Sequence, residues 1–336
     1  MIGFTAIRER HAHAKPAVAL LALLVSACAG PDAPLIEPIA TSPVGVDSCA
    51  VRRPDFGAAA TQAELSLFAY HVDAPLNLVK AVEAANDGVE VSGISYDSPA
   101  GGRVPGLLVS PVNRPGPRPG IILMHGMPSN ARALAGQART LAQHGAVVIA
   151  IDAPFARRTG SGLRMIKQDR EEQIQLMKDL QRAVNVLRSQ PTVDATRIAY
   201  MGFSYGGAVG ALFAGIERRI KTAVLVVGDA GLVTHSTGPE DAAFMGSLSC
   251  ATRVAWFREM VPIESVRFIP LASPTRLLFQ NGRTDDQVSV SDAEALHRAA
   301  PEPKTVLWYD AGHGLNQQAR HDQLDWLHKE IGIDAR

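Results

Sequence analysis

A serine flanked by glycines is the first candidate for chemistry in this chain. Ser204 lies between Gly202 and Gly206 in the pattern G-x-S-x-G, after an apolar run and before a small, helix-compatible segment. Glycines at these positions permit a sharp strand-to-helix turn that exposes the serine in a strained conformation. The N-terminus of the following helix offers N–H groups and a partial positive charge to an oxyanion. The pattern predicts a nucleophile elbow with Ser204 as the nucleophile.

A serine hydroxyl needs a base to take its proton and an acid to orient that base. Downstream, Asp285 and Asp286 follow an apolar run that ends in Asn281-Gly282, and His313 follows the next apolar run. Open α/β sheets bind ligands at the carboxyl ends of their strands, where these residues would lie. The order serine, acid, histidine indicates a catalytic triad, and the residues alone leave both aspartates open as the acid.

Alternating strands and helices must position these residues. Short apolar runs that end in turn signals predict strands buried on both faces, as in a parallel sheet. The predicted strands are 120–126, 146–154, 197–204, 222–229, 274–282 and one before His313, and the predicted helices are about 131–144, 168–189, 205–216, 291–299 and 317–331. This alternation over about 240 residues predicts one α/β domain with a mostly parallel, doubly wound sheet and flanking helices.

The segment before this alternation shows two patterns. Residues 61–86 have apolar residues three and four apart, which predicts helix interrupted at Pro75. Residues 89–98 and 102–111 alternate like a pair of strands joined around Gly101-Gly102.

From about Val89 onward the chain resembles the serine α/β-hydrolases, in particular the branch of dienelactone hydrolases, acetyl xylan esterases and prolyl oligopeptidase catalytic domains. The segments that carry the resemblance are HGMPSN, DAP, GFSYGG, NGRTDDQV and AGHG. The resemblance implies the α/β-hydrolase fold. In such families the acid lies in a G-x-x-D-x-x-V segment, which here aligns Gly282, Asp285 and Val288. Asp285 is therefore preferred as the partner of His313, with Asp286 as the alternative.

The resemblance also implies an oxyanion hole. The family uses the N–H of the residue after the nucleophile and one from the loop behind the first buried strand, which are Tyr205 and Met127 here. His125 is expected to support that loop by hydrogen bonding, and the alternative is a direct part in the chemistry. No metal or organic cofactor is required. His321, Asp325 and His328 share a face of the last helix, which is interpreted as a solvated face rather than as a metal site.

The substrate class rests on residues 230–273, a helical insertion before the acid-bearing strand. Its large apolar residues predict either a cap over the site or packing onto the sheet; they are Phe244, Met245, Trp256, Phe257 and Met260. Hydrolysis of a small-molecule carboxylic ester is the first hypothesis. A small peptidase or acyl-peptide hydrolase of the oligopeptidase type is the alternative, although few residues precede the hydrolase strands for a substrate-screening domain. A non-catalytic envelope binding protein is the third hypothesis.

The N-terminus has the features of an export signal. Basic residues precede a short apolar stretch, and its end, VSAC, resembles the lipobox of bacterial lipoproteins, which implies lipidation of Cys28. The prediction is a signal peptide at 1–27, a lipidated, proline-rich tether at 28–60 and the hydrolase domain at 61–336; the alternative is an ordinary signal peptide cleaved nearby. The expected location is the cell envelope, where the lipid on Cys28 would anchor the chain to a membrane. Cys49 and Cys250 then form either a disulfide or two separate buried thiols.

Charge excludes one class of partner. Basic and acidic residues number 33 each, so the formal net charge is zero. Nucleic-acid binding usually needs a clustered basic face, and no long charge run occurs. Arg157, Arg158 and Arg164 form the densest basic segment, which is either a charged surface loop or an attractor for an acidic substrate. The sequence does not determine the oligomeric state.

Overall fold

A nine-stranded sheet forms the centre of the protein in a computed structural model that describes residues 54–159, 162–239 and 241–335. The strands are β1 Val79–Asn86, β2 Val89–Asp97, β3 Arg103–Pro111, β4 Arg118–Met124, β5 Val147–Ile151, β6 Val193–Phe203, β7 Thr222–Val226, β8 Arg276–Gly282 and β9 Lys304–Tyr309. The helices are α1 Gln62–Ser66, α2 Ala135–Gln143, α3 Lys167–Ser189, α4 Tyr205–Ile216, α5 Leu232–Ser236, α6 Ala242–Ser247, α7 Cys250–Met260, α8 Ser265–Phe268, α9 Val290–Ala299 and α10 Gln317–Ile331.

The strand order is β1-β2-β3-β5-β4-β6-β7-β8-β9. Strands β5, β4, β6, β7, β8 and β9 pair in parallel, whereas β1, β2 and β3 add an antiparallel edge next to β5. Helices cover both faces of the sheet: α3, α4 and the insertion pack on one core cluster, and α2 and α10 pack on the other. The predicted mostly parallel, doubly wound sheet is confirmed.

The apolar runs of the parallel core became strands because both of their faces are covered. Every residue of β5 and of β7 is buried. Their apolar side chains are removed from water on both sides, at roughly 25 cal/mol for each Å² of apolar surface. The five predicted helices are all present, with α4 and α10 at the predicted bounds.

The predicted helix over residues 61–86 is wrong for most of its length. Only Gln62–Ser66 is helical, and Val79–Asn86 is the exposed edge strand β1, paired antiparallel with β2. The two strands are joined by Asp87 and Gly88, both with positive φ. That is the geometry of the tight hairpin turns that Asp-Gly favours. Pairing with β2 therefore overrides the helical propensity of this segment.

Residues just before α1 also pack against the core. Phe56 and Ala60 pack against the core, and the Ala60 N–H donates to the carbonyl of Arg267 at 2.7 Å. Arg267 also forms an ion pair with Glu64. These contacts join α1 and the segment before it to helix α8 of the insertion.

Candidate active site

Ser204 lies at the turn between β6 and α4 and has φ 56° and ψ −118°. A positive φ in a residue other than glycine costs on the order of 1–3 kcal/mol and persists only where the surroundings enforce it. Here the Ser204 N–H donates to the carbonyl of Val226 at 2.9 Å. A Cβ atom on Gly202 would overlap the carbonyl oxygen of Gly206, and one on Gly206 would overlap that of Met124. The two glycines are thus required by close backbone approach.

His313 links the serine to a carboxylate. Its Nε2 lies 2.9 Å from Ser204 Oγ, and its Nδ1 lies 3.0 and 2.9 Å from the two carboxylate oxygens of Asp285. This network assigns the tautomer in which Nδ1–H donates to Asp285 and Nε2 accepts from the serine hydroxyl. His313 comes from the loop after β9 and Asp285 from the loop after the neighbouring strand β8.

Asp285 is held as an anion inside the protein. Its side chain is 1% exposed, and burial alone would raise its pKa. The pKa is nevertheless lowered, because His313 and the N–H groups of Gln287 and Val288 donate hydrogen bonds to the carboxylate. Asp286 is exposed, and the structure brings Asp285 rather than Asp286 to His313. A fixed negative charge at this place stabilises an imidazolium.

The two residues predicted to supply the oxyanion hole both line the cavity at Ser204. Tyr205 is the first residue of α4, so its N–H has no acceptor within the helix. Met127 follows Gly126, where a Cβ would lie 3.2 Å from the Cβ of Ser204. The absence of that Cβ gives the loop room beside Ser204.

His125 supports the loop that carries Met127. Its Nδ1 lies 2.8 Å from the carbonyl oxygen of Gly126, and its Nε2 accepts from the Ala153 N–H at 3.0 Å. Burial lowers the pKa of His125, which favours the neutral ring that this pattern needs. The ring therefore ties the loop after β4 to the loop after β5, and its nitrogens are occupied by backbone groups.

Two cavities meet at Ser204. The first, of about 140 Å³, is the more enclosed and has mostly apolar walls, which include Met127, Leu163, Ala208, Val227, Leu232 and Val288. The second is an open groove of about 530 Å³ on the side of His313. Ser204, Met127 and Gln287 line both. A group bonded to Ser204 Oγ thus has an enclosed pocket on one side and an open groove on the other.

A second histidine–aspartate pair, His235 and Asp229, lines the enclosed pocket. His235 Nδ1 lies 2.8 Å from Asp229 Oδ2, and its Nε2 lies 3.8 Å from Asp241 Oδ2. Asp229 is buried and also accepts the Gly231 N–H, whereas the His235 side chain is 39% exposed. The sequence left open whether His235 lines the pocket or is simply exposed, and it did not indicate the pairing with Asp229.

The insertion 230–273 packs mostly onto the body of the protein. Four of its five large apolar residues are buried, whereas Phe244 is exposed. Trp256 donates from Nε1 to Asp169 Oδ2 at 2.9 Å, at the start of α3. Helix α5 is the part that reaches the enclosed pocket, through Leu232 and His235. The insertion thus forms one wall of the pocket and otherwise extends the core.

The arginines after β5 are paired with acids. Arg157 contacts Asp179 at 2.7 Å, and Arg158 and Arg164 both contact Glu172, at 2.9 and 2.7 Å. Their charges are neutralised locally, which favours the reading as a charged surface loop. Among the residues that the structure describes, no group of three or more His, Cys, Asp or Glu side chains is placed to hold a metal ion.

Two N-terminal predictions fall outside the described ranges. Cys28 and Cys49 both precede residue 54. Cys250, the first residue of α7, is disulfide-bonded. In the part of the chain that the structure covers, no helix combines the length and apolarity needed to cross a membrane.

The fold and the arrangement at Ser204 define an α/β-hydrolase. Residues 133–333 match the model of the prolyl oligopeptidase family. The match covers more than half of the chain, and the protein therefore belongs to the prolyl oligopeptidase family and is a hydrolase of the α/β-hydrolase type. No curated protein sequence matches it significantly.

Solved structures with the same fold include several esterases. An acetyl xylan esterase from Paenibacillus sp. R4 is 19% identical, with a TM-score of 0.67 over 82% of this chain and 96% of that one. Acetyl xylan esterase 1 from Thermoanaerobacterium sp. JW/SL YS485 is 16% identical, with a TM-score of 0.64 over 81% and 95%. A cold-adapted esterase from an Arctic intertidal metagenomic library is 19% identical, with a TM-score of 0.56 over 76% and 99%. Similarity at these identities establishes the fold.

Proposed function

We propose that the protein is a serine hydrolase that cleaves carboxylic esters through an acyl-enzyme intermediate. The observation that carries the proposal is the continuous hydrogen-bonded series from Ser204 Oγ through His313 to Asp285, at the junction of two cavities. A nucleophile, a base within 3 Å and a buried orienting carboxylate are the parts that such chemistry needs.

In the first half-reaction Ser204 Oγ attacks the ester carbonyl carbon while its proton passes to His313 Nε2. The carbonyl oxygen becomes an oxyanion beside the N–H groups of Met127 and Tyr205, and the loss of one such donor typically costs ~100- to 1,000-fold in rate. The bond to the alcohol oxygen then breaks, His313 protonates that oxygen, and the acyl group stays on Ser204. Water attacks the acyl-enzyme with His313 as base, the acid leaves, and Ser204 regains its proton.

The two cavities fit the two halves of an ester. His313 lines the open groove, and the leaving alcohol must lie where His313 can protonate it. The acyl group then occupies the enclosed pocket of about 140 Å³. An apolar cavity of ~150 Å³ holds a molecule of the size of benzene, so this pocket fits short acyl groups of up to about six carbons.

Peptide-bond hydrolysis is the second candidate, because the chain belongs to the prolyl oligopeptidase family. The same triad serves amides, where His313 would protonate an amine instead of an alcohol. A buried carboxylate in the acyl pocket, Asp229, is a suitable neighbour for an α-ammonium group. Relative rates on esters and on aminoacyl anilides decide between the two candidates.

The test is hydrolysis of p-nitrophenyl esters from acetate to decanoate beside aminoacyl p-nitroanilides. Ser204→Ala is the critical variant, and Ser247→Ala, an exposed serine in α6, is the matched control. We expect ester turnover with an optimum at short acyl chains, unchanged in Ser247→Ala and lost in Ser204→Ala. Faster anilide cleavage assigns the protein as a peptidase. Equal inertness of wild type and Ser204→Ala leaves the non-catalytic binding protein as the remaining hypothesis.

Export and lipidation at Cys28 belong to the same proposal. The sequence before Cys28 and the disulfide at Cys250, a bond typical of oxidising compartments, support it. Metabolic labelling with a palmitate analogue in a bacterial host should label the wild type and not Cys28→Ser. Peptide mapping without reduction should find Cys250 linked to Cys49. Labelling that survives in Cys28→Ser would contradict the anchor.

A further inference from the structure

A third cavity, which has mostly apolar walls, lies beside the active site, between α2 and α10. It measures about 400 Å³, and Ser204 is not among its walls. Its walls include the side chains of Leu134, Leu141, Phe203, Leu315, Leu324 and Arg320. We refer to it as the α2/α10 cavity.

The α2/α10 cavity adjoins the leaving-group side of the site. Leu134 and Phe203 line both this cavity and the open groove at Ser204. The Phe203 ring packs edge-on against the ring of His313, with 5.2 Å between centroids. Gly314 and Leu315, which directly follow His313, also line the cavity. A group that leaves past His313 therefore has the cavity next to it.

The walls of the cavity suit an uncharged, apolar ligand. The amide of Gln137 already donates to Met201 Sδ at 3.1 Å, and that of Gln323 donates to Gln280 Oε1 at 2.8 Å. Arg320 is exposed, so its charge is solvated at the rim. Each methylene group that moves from water into such a space improves affinity about fourfold. The acyl pocket, at about 140 Å³, offers no comparable room.

We propose that the α2/α10 cavity binds the alcohol part of the substrate, so that the preferred substrates are short-acyl esters of long-chain or aromatic, uncharged alcohols. This inference rests on the proposed ester hydrolysis at Ser204 and specifies its substrate class. Shape sets the specificity: a small acyl group is enclosed on one side, and a large apolar alcohol is accommodated on the other. After His313 protonates the alcohol, the alcohol leaves on the side of the α2/α10 cavity.

The test compares acetate esters of ethanol, hexanol and octanol, so that the acyl group is constant. We expect kcat/KM to rise at least tenfold from ethyl to octyl acetate in the wild type. Leu324→Trp fills the cavity from α10 and should lower the octyl-to-ethyl ratio at least fivefold. Lys329→Trp, exposed on the same helix and outside the cavity, is the matched control and should keep the wild-type ratio.

Binding is measured separately with 1-octanol as an inhibitor. We expect competitive inhibition of ethyl acetate hydrolysis that is weaker in Leu324→Trp than in Lys329→Trp. If Leu324→Trp does not fold, Thr140→Phe fills the cavity from α2 and replaces it in both measurements.

The outcomes distinguish a failure of the alcohol-site inference from a failure of the proposed ester hydrolysis. If ethyl acetate is hydrolysed and the rate does not depend on alcohol length, the alcohol-site inference is overturned while the ester hydrolase stands. If no ester is hydrolysed faster by wild type than by Ser204→Ala, the proposed function itself fails. A change in the molar mass of Leu324→Trp in light scattering, without a change in the ratio, assigns the cavity to contact between copies of the chain and overturns the inference.

Discussion

Two histidine–aspartate pairs lie near Ser204, and the histidine of each lines a different one of the two cavities there. The pairs differ in the group that the second ring nitrogen of the histidine faces. In the first pair His313 Nδ1 contacts Asp285, and Nε2 lies 2.9 Å from Ser204 Oγ. In the second pair His235 Nδ1 contacts Asp229 at 2.8 Å, and Nε2 lies 3.8 Å from Asp241. In the proposed mechanism the first arrangement provides the base for Ser204, whereas the second forms part of the wall of the enclosed pocket.

The difference follows from the elements that carry each pair. Asp285 and His313 come from loops after β8 and β9, which are neighbours in the sheet, so both reach the same edge as Ser204. Asp229 follows β7, and His235 lies in the short helix α5. Buried Glu264 accepts the N–H groups of Val233 and Thr234 and holds that helix in place. Equivalent side-chain chemistry thus has different consequences at two places in one fold.

The largest expected effect is a difference in kcat/KM between the variants of the two histidines. His313→Ala should lower kcat/KM for p-nitrophenyl acetate by ~10⁴- to 10⁶-fold, because the base is lost. His235→Ala should change it by less than ~10-fold, because it alters only a pocket wall. Steady-state kinetics of both variants, with circular dichroism to verify folding, measure this. Comparable losses in the two variants would contradict the assignment of His313 as the base.

The aspartates of the two pairs should differ in the same way as their histidines, with a smaller effect on the rate. Asp285→Asn should cost ~10⁴-fold in kcat, because an amide no longer favours the required tautomer or stabilises the imidazolium. Asp286→Asn, next to it and exposed, is the matched control and should keep kcat within about threefold. Asp229→Asn should keep kcat for acetate esters within about tenfold of the wild-type value. A collapse of kcat in Asp286→Asn instead would show that the acid is misassigned.

The elbow glycine should affect stability. Gly202→Ala places a Cβ against the carbonyl of Gly206 and should destabilise the fold by ~1–3 kcal/mol. Gly246→Ala in α6 meets no atom within 4 Å and should leave stability unchanged or slightly raised. Urea unfolding followed by fluorescence compares the two variants. Equal midpoints would mean that the close approach at the elbow is not rigid.

The last prediction concerns pH and the support of the second pair. Burial raises the pKa of Glu264 to about 8, although the N–H groups of Thr234 and Val233 oppose the shift. In the unfolded chain this group ionises near 4.5, so between about pH 4.5 and 8 the folded state alone keeps the proton. Stability should therefore fall as pH rises through that window.

The Tm of wild type and of Glu264→Gln at pH 5 and pH 8 measures this effect. The wild type should lose stability between the two values, and Glu264→Gln should lose less because it cannot ionise. Glu294→Gln, on the exposed part of α9, is the control and should follow the wild type. A Glu264→Gln profile identical to that of the wild type would show that Glu264 is ionised in the folded protein.

The parallel core and the first histidine–aspartate pair could be predicted from local signals. Ser204 has two glycines in a fixed pattern, and the apolar runs before Asp285 and His313 place both at strand ends. The order of these segments along the chain matches the order of neighbouring strands from β6 to β9. Local sequence and long-range arrangement therefore agree in this part of the molecule.

The second pair and the edge hairpin could not be predicted by the same reasoning. The position of His235 depends on Glu264, which lies some thirty residues further along the chain. Strand β1 contains Lys80, Glu83 and Ala84, which favour helix in isolation, and pairing with β2 decides its state. The Asp87-Gly88 turn was the available local signal for that hairpin.

The most direct test of the account is the site of covalent labelling by a fluorophosphonate. This reagent phosphonylates a serine only when the hydroxyl is activated, and tandem mass spectrometry locates the adduct. We predict one adduct per chain, on Ser204, absent in Ser204→Ala, slowed strongly in His313→Ala and unaffected in His235→Ala. An unlabelled wild type, or labelling that persists in Ser204→Ala, would contradict the claim that Ser204 is an activated nucleophile.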